Sequence, residues 1–147
     1  MRPGVTWAVL GLVVVAAARR WLDVVEVRGR SMSPTLLPGD RLIVVRARPR
    51  PGDVVLAPDP RAPGRELVKR VISVGRSGVH LRGDNPAAST DARTFGAVSA
   101  AAIEWRAVGR YWPLDRAGSI PPAPGIELDE GGEPACAVPE ALIAGGP

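Results

Sequence analysis

Ser31 lies in VRGRSMSPTLLPGDRL (27–42), a Gly- and Pro-bounded turn between two apolar runs, where a side chain is readily presented to a substrate. A serine hydroxyl is a poor nucleophile until a base takes its proton. The sequence offers two candidate bases. His80, the one histidine, sits in VHLR, where the default place for such a residue is a strand position facing solvent or a neighbour. Lys69 is the only lysine, the other 18 of the 19 basic residues being arginine. A lysine can give up its proton inside a protein and an arginine effectively cannot.

Lys69 falls in the middle of ELVKRVI, with Leu67 and Val71 on its own face if the segment is a strand. Aliphatic surroundings favour the neutral amine. To act as a base near neutrality it must fall by about 3 units from about 10.4, a perturbation of about 4 kcal/mol. No G-x-S-x-G or S-x-x-K arrangement surrounds a serine. H-E-x-x-H, the phosphate-binding loop and G-x-G-x-x-G are also absent.

The elements that must position these side chains read as short β runs separated by Pro, Gly and Asp. Strands are expected at 22–28, 41–47, 53–57, 66–74, 79–82 and 106–112, and a short helix at 99–105. PGD occurs at 38–40 and 51–53, each time just before an apolar run, which suits a turn entering a sheet. The expected fold is mostly β, a compact curled antiparallel sheet or barrel.

Residues 1–21 form an apolar segment. Its uncharged stretch VTWAVLGLVVVAAA (5–18) covers about 21 Å as a helix, against a hydrocarbon core of about 30 Å. With Arg19 and Arg20 snorkelling, the segment is expected to be a retained transmembrane anchor. A signal peptide cut after Ala18, within an A-x-A pattern, and a buried or surface-lying helix are the alternatives. Residues 119–147 hold six Pro, five Gly, five acids and no base, and are expected to be disordered. With those acids set aside, the overall +4 becomes +9 for residues 1–118. A basic body without an aromatic-interleaved basic stripe favours an anionic membrane surface over nucleic acid. Cys136 is alone, so no internal disulfide or cysteine metal site is expected.

Three blocks in order, VRGRSMSPTLLPGD, ELVKRVI and GDNPAASTDARTFGAV (83–98), with VGRYWPLDRAG (108–118) closing, resemble the type I signal peptidases, a serine–lysine dyad family (S26-type). The resemblance implies a peptidase domain over 22–118, with Ser31 as nucleophile and Lys69 as general base. It implies that Ser89 orients the lysine and that the Ser31 amide serves the oxyanion from the turn at Gly29. Some relatives carry a hydroxyl at the position of Gly29. Asp84 and Asn85 would form a tight turn bringing the Ser89 loop to the dyad. Asp91 and Arg93 would form structural ion pairs, with Arg70 as a partner, and Ala92 stands where many relatives have serine. No metal or other cofactor is implied.

The implied activity is removal of signal peptides from exported precursors, after small residues, by an enzyme seated on membrane lipid. It is expected to be a monomer, single-pass in the plasma membrane, with its catalytic domain outside the cytoplasm. The alternatives are a specialised maturation peptidase acting on one partner, such as a metalloenzyme propeptide, and a non-catalytic membrane-anchored peptide-binding module. A self-cleaving repressor of the same chemistry is disfavoured, because the apolar segment occupies the space a helix-turn-helix would need.

Overall fold

The computed structural model describes residues 3–89 and 96–123. Runs rich in Val, Ile and Leu, bracketed by turn residues, become six strands: β1 (Leu22–Glu26), β2 (Arg41–Arg46), β3 (Val54–Pro58), β4 (Glu66–Gly75), β5 (Gly78–Arg82) and β6 (Trp105–Trp112). They form one antiparallel sheet in the order β1-β2-β6-β3-β4-β5. All six expected strands are present within about two residues of their expected bounds. The sheet curls without closing: among the described residues no pairing joins β1 to β5.

β3 is buried on both faces and divides the core in two. Val54 and Leu56 pack with Val27, Met32, Leu36, Leu42 and Val44 on one side. Val55 and Ala57 pack with Val71, Val79, Leu81, Val98 and Ile103 on the other. Each fully buried Val or Leu contributes about 2 kcal/mol by leaving water.

The two PGD turns have the same construction. Gly39 and Gly52 take φ of 92° and 90°, a region glycine enters without Cβ strain. Asp40 Oδ2 accepts the Leu37 amide and Asp53 Oδ2 the Arg50 amide, each at 2.9 Å, three residues back. The next strand starts at once, as expected.

Two expectations are corrected. The 99–105 segment is a single 3-10 turn over Ala100–Ala102, because Ile103 is extended and buried and Trp105 already belongs to β6. Three alanines cannot offset the cost of a helix nucleus when the flanking residues gain more as sheet and core. The N-terminal segment is a 17-residue helix, α1 (Pro3–Arg19), about 26 Å long. Among the described residues no helix is long and apolar enough to cross a membrane, so the expected transmembrane span is not supported. The expected disordered tail and Cys136 lie outside the described residues, except Ser119–Ala123.

The β3–β4 connection is organised by Asp59, whose carboxylate accepts from Arg61 Nε (3.0 Å), Arg61 Nη2 (3.1 Å) and the Arg61 amide (3.0 Å). The Arg61 side-chain hydrogen bonds, then its amide, hold the carboxyl below its ordinary value of 3.8. A carboxyl lowered on folding stabilises above its unfolded value, and that stabilisation is lost as pH falls through the folded value. Asp59→Asn is therefore expected to lower the thermal midpoint at pH 7, with the gap to wild type shrinking below pH about 4. A gap unchanged down to pH 3 would show that the charge does not hold this loop.

Candidate active site

Lys69 lies in β4 opposite Val55 of β3, on the face that carries Ala57 and Val71. It is 2% exposed, and its Nζ donates to Ser89 Oγ at 2.7 Å. β4 and β5 pair from Arg70↔Arg82 onward, so the residue after Arg82 continues the register beside Lys69. That residue is Gly83, and it has no room for a side chain. A Cβ there would run into Ser89 Oγ and Ser89 Cβ, and would come within 2.5 Å of the Ser31 carbonyl oxygen. The serine turn and the Ser89 loop therefore meet over Gly83, next to the lysine strand. The sequence placed Ser31, Lys69 and Ser89 in one site, and the fold brings their segments together there.

The serine turn is held at its tip by Asn85, whose amide donates to the Ser31 carbonyl at 2.9 Å. Inside the turn, Ser33 donates to Arg30 and Leu36 to Met32. Ser31 is half-buried, and Gly29 is exposed with nothing near the place a Cβ would occupy. His80 lies on β5 opposite Ser73, about 10 Å along the strand from Gly83.

Arg70, next to Lys69, points to the opposite face, as strand neighbours must. It forms a two-pronged pair with Asp84, Nε to Oδ1 at 2.9 Å and Nη2 to Oδ2 at 2.8 Å, both side chains buried. It also donates to the carbonyls of Gly52 (3.0 Å) and Pro121 (3.1 Å). Asp84 is thus an ion-pair partner as well as a turn residue, and the partner of Arg70 among the described residues is Asp84. Asp91, Ala92 and Arg93 lie outside the described residues.

One cluster escaped the sequence reading. Asp40, its side chain 2% exposed, receives Arg110 Nη1 (3.1 Å) and Arg116 Nη1 (3.0 Å). Arg110 Nη1 also donates to the Thr35 carbonyl at 3.1 Å. The cluster therefore grips the back of the serine turn. The repeated PGD was its only trace in the sequence, because eighteen arginines gave no reason to single out two.

A groove of about 700 Å³ runs from Val24 and Glu26 of β1 past Gly29 to Ser31, with Leu67 and Val68 of β4 across from it. β1 is an edge strand, and among the described residues Glu66–Val68 pair with no strand on the β5 side. Two free main-chain edges therefore face one space beside the serine. Among the described residues no three His, Cys, Asp or Glu side chains gather as a metal site.

The family model described as signal peptidase, peptidase S26, matches residues 2–82. A mitochondrial ATP-independent inner membrane protease subunit 1a of Arabidopsis thaliana is 34% identical over 127 residues, covering 67% of this chain and 76% of that protein. A mitochondrial inner membrane protease subunit 1 of Xenopus tropicalis is 31% identical over 133 residues, covering 74% of this chain and 80% of its own. A model matching more than half the chain, and relatives this similar over most of their length, place the protein: it belongs to the signal peptidase family, peptidase S26.

Proposed function

We propose that the protein is a membrane-attached serine endopeptidase that cuts signal-peptide-bearing precursors after small residues, with Ser31 as nucleophile and Lys69 as general base. The observation that carries the reading is the buried Lys69 amine bonded to Ser89 Oγ, where the Ser31 turn meets the Ser89 loop over Gly83. A buried amine beside the serine turn is placed to accept a proton in its neutral form. Lys69 takes the Ser31 proton as the hydroxyl attacks the scissile carbonyl, then returns it to the leaving amine. Water releases the acyl group through the same lysine. Ser89 fixes the amine's direction, and the Ser31 amide stabilises the oxyanion.

The substrate lies extended in the groove, pairing with the edges of β1 and Glu66–Val68. Membrane attachment uses α1, whose residues Trp7–Val15 are largely exposed and apolar, followed by exposed Trp21, Leu22 and Val24. Trp21 at the end of an apolar helix suits the headgroup region. The relatives are named as inner membrane protease subunits. That favours a second reading, in which this chain matures a restricted set of membrane precursors alongside a partner subunit.

Incubating the protein in detergent with a precursor bearing an A-x-A signal peptide is expected to give one cut after the small residue, located by mass spectrometry. Ser31→Ala and Lys69→Ala are expected to abolish it, a loss of at least about a thousandfold. Since the base must be unprotonated, kcat/KM should rise with pH to a plateau as Lys69 loses its proton. Cleavage surviving Lys69→Ala with an unaltered pH profile would rule out the dyad. Gly29→Ser has room for its hydroxyl, and as an added oxyanion donor it is expected to raise kcat about tenfold. An unchanged kcat would mean that the oxyanion lies elsewhere.

A further inference from the structure

Ser31 and Lys69 come from opposite halves of the sheet order: the serine from the β1–β2 connection, the lysine from β4. Their relative placement needs something that holds both. Besides the Asn85–Ser31 hydrogen bond and the contacts over Gly83, the stretch Pro113–Pro121 that follows β6 reaches both sides.

Its course is well defined. It makes a 3-10 turn over Leu114–Arg116, then Gly118 exchanges two 2.8 Å backbone hydrogen bonds with Arg110. On the serine side, Arg116 Nη1 reaches Asp40 Oδ1, and the Arg116 carbonyl accepts from Arg110 Nε. Arg110 in turn holds Asp40 and the Thr35 carbonyl. Asp40 also accepts the Leu37 amide, and its own carbonyl takes the Val27 amide at 2.8 Å, which closes the base of the serine turn. On the lysine side, the Pro121 carbonyl accepts from Arg70, the strand neighbour of Lys69, which also carries Asp84. Between these ends Ile120 packs on the core shared by Met32, Leu36 and Val54.

We infer that Pro113–Pro121 is a positioning strap. It grips the serine turn through Arg116 and Asp40 and the lysine side through Pro121 and Arg70, and so sets the spacing of nucleophile and base. Arg116, Asp40, Arg110 and Ile120 are positioning residues that touch neither substrate nor reacting atoms. The inference rests on the Ser31–Lys69 reading for its effect on rate, while the strap's hold on the two segments can be read without catalysis. A strap that only positions alters how often the hydroxyl and amine meet in register. It leaves the groove and the lysine's surroundings alone.

The test uses full-length Arg116→Ala, Ile120→Ala and the double variant. The Arg116 side chain is 27% exposed, so its truncation keeps the test available if the Ile120 variant does not fold. Each single change is expected to lower kcat about tenfold, well below the thermal midpoint, with KM within about twofold and the pH at half-maximal rate unmoved. The double variant should lose little more than the worse single one, since both release one element. Amide exchange at Leu37 and Asn85 should quicken in all three, while Val79 and Val98 in the opposite core stay protected. Folded single variants with wild-type kcat, or independent effects that multiply in the double variant, would overturn the strap. If wild type cuts no precursor, the peptidase reading fails on its own, and the strap then stands or falls on whether exchange at Leu37 and Asn85 changes.

Discussion

The pair of Arg70 with Asp84 determines where the chain goes after β5, and the site is assembled from that point. An arginine buried mid-strand must find several acceptors, because a guanidinium left unpaired in a protein interior is costly. Asp84 supplies two, and the Gly52 and Pro121 carbonyls supply the rest. With Asp84 fixed, Gly83 on one side of it lies against Ser89, the partner of Lys69, and Asn85 on the other presents its amide to Ser31. Removing one member of such a pair costs about 3–5 kcal/mol in typical cases. Stability and geometry of the site are therefore carried by the same two side chains.

Much of this was legible in the sequence because the relevant signals are local. LDVVE, RLIVVR and VVLAP are β-branched runs between Pro, Gly and Asp, and they are strands. Lys69 stood out because an arginine-rich chain contains no other residue of its type. The misses are contacts between distant segments. Asp40 meets Arg110 and Arg116 across some seventy residues, and nothing at position 40 names those partners. Asp84, read from the sequence only as a turn residue, is also a carboxylate partner of Arg70, two residues past its cross-strand partner Arg82, while Asp91 and Arg93 lie outside the described residues. The alanine run at 100–102 misled in the opposite way, since its local preference lost to the burial of Ile103.

The groove shows why an open sheet suits this chemistry. A closed barrel has no free edge, whereas here, among the described residues, β1 and Glu66–Val68 of β4 keep theirs, facing each other across a space beside Ser31. Exposed edges invite unwanted pairing. In this protein one is short and carries Asp23 and Glu26, and the other follows directly on the turn that Asp59 holds. The fold thus keeps open the main-chain hydrogen bonding that an extended chain can use, and restricts who can use it.

The place of β6 in the sheet has a consequence for biosynthesis. β1–β2 and β3–β4–β5 are each built from chain neighbours, but β6, the last of the described strands, is the piece inserted between them. Until β6 is made, the nascent chain lacks the strand that joins the two ribbons into one sheet. The serine is on one ribbon and the lysine on the other. The candidate site is therefore completed only when β6 joins the sheet, long after the N-terminal helix has been made.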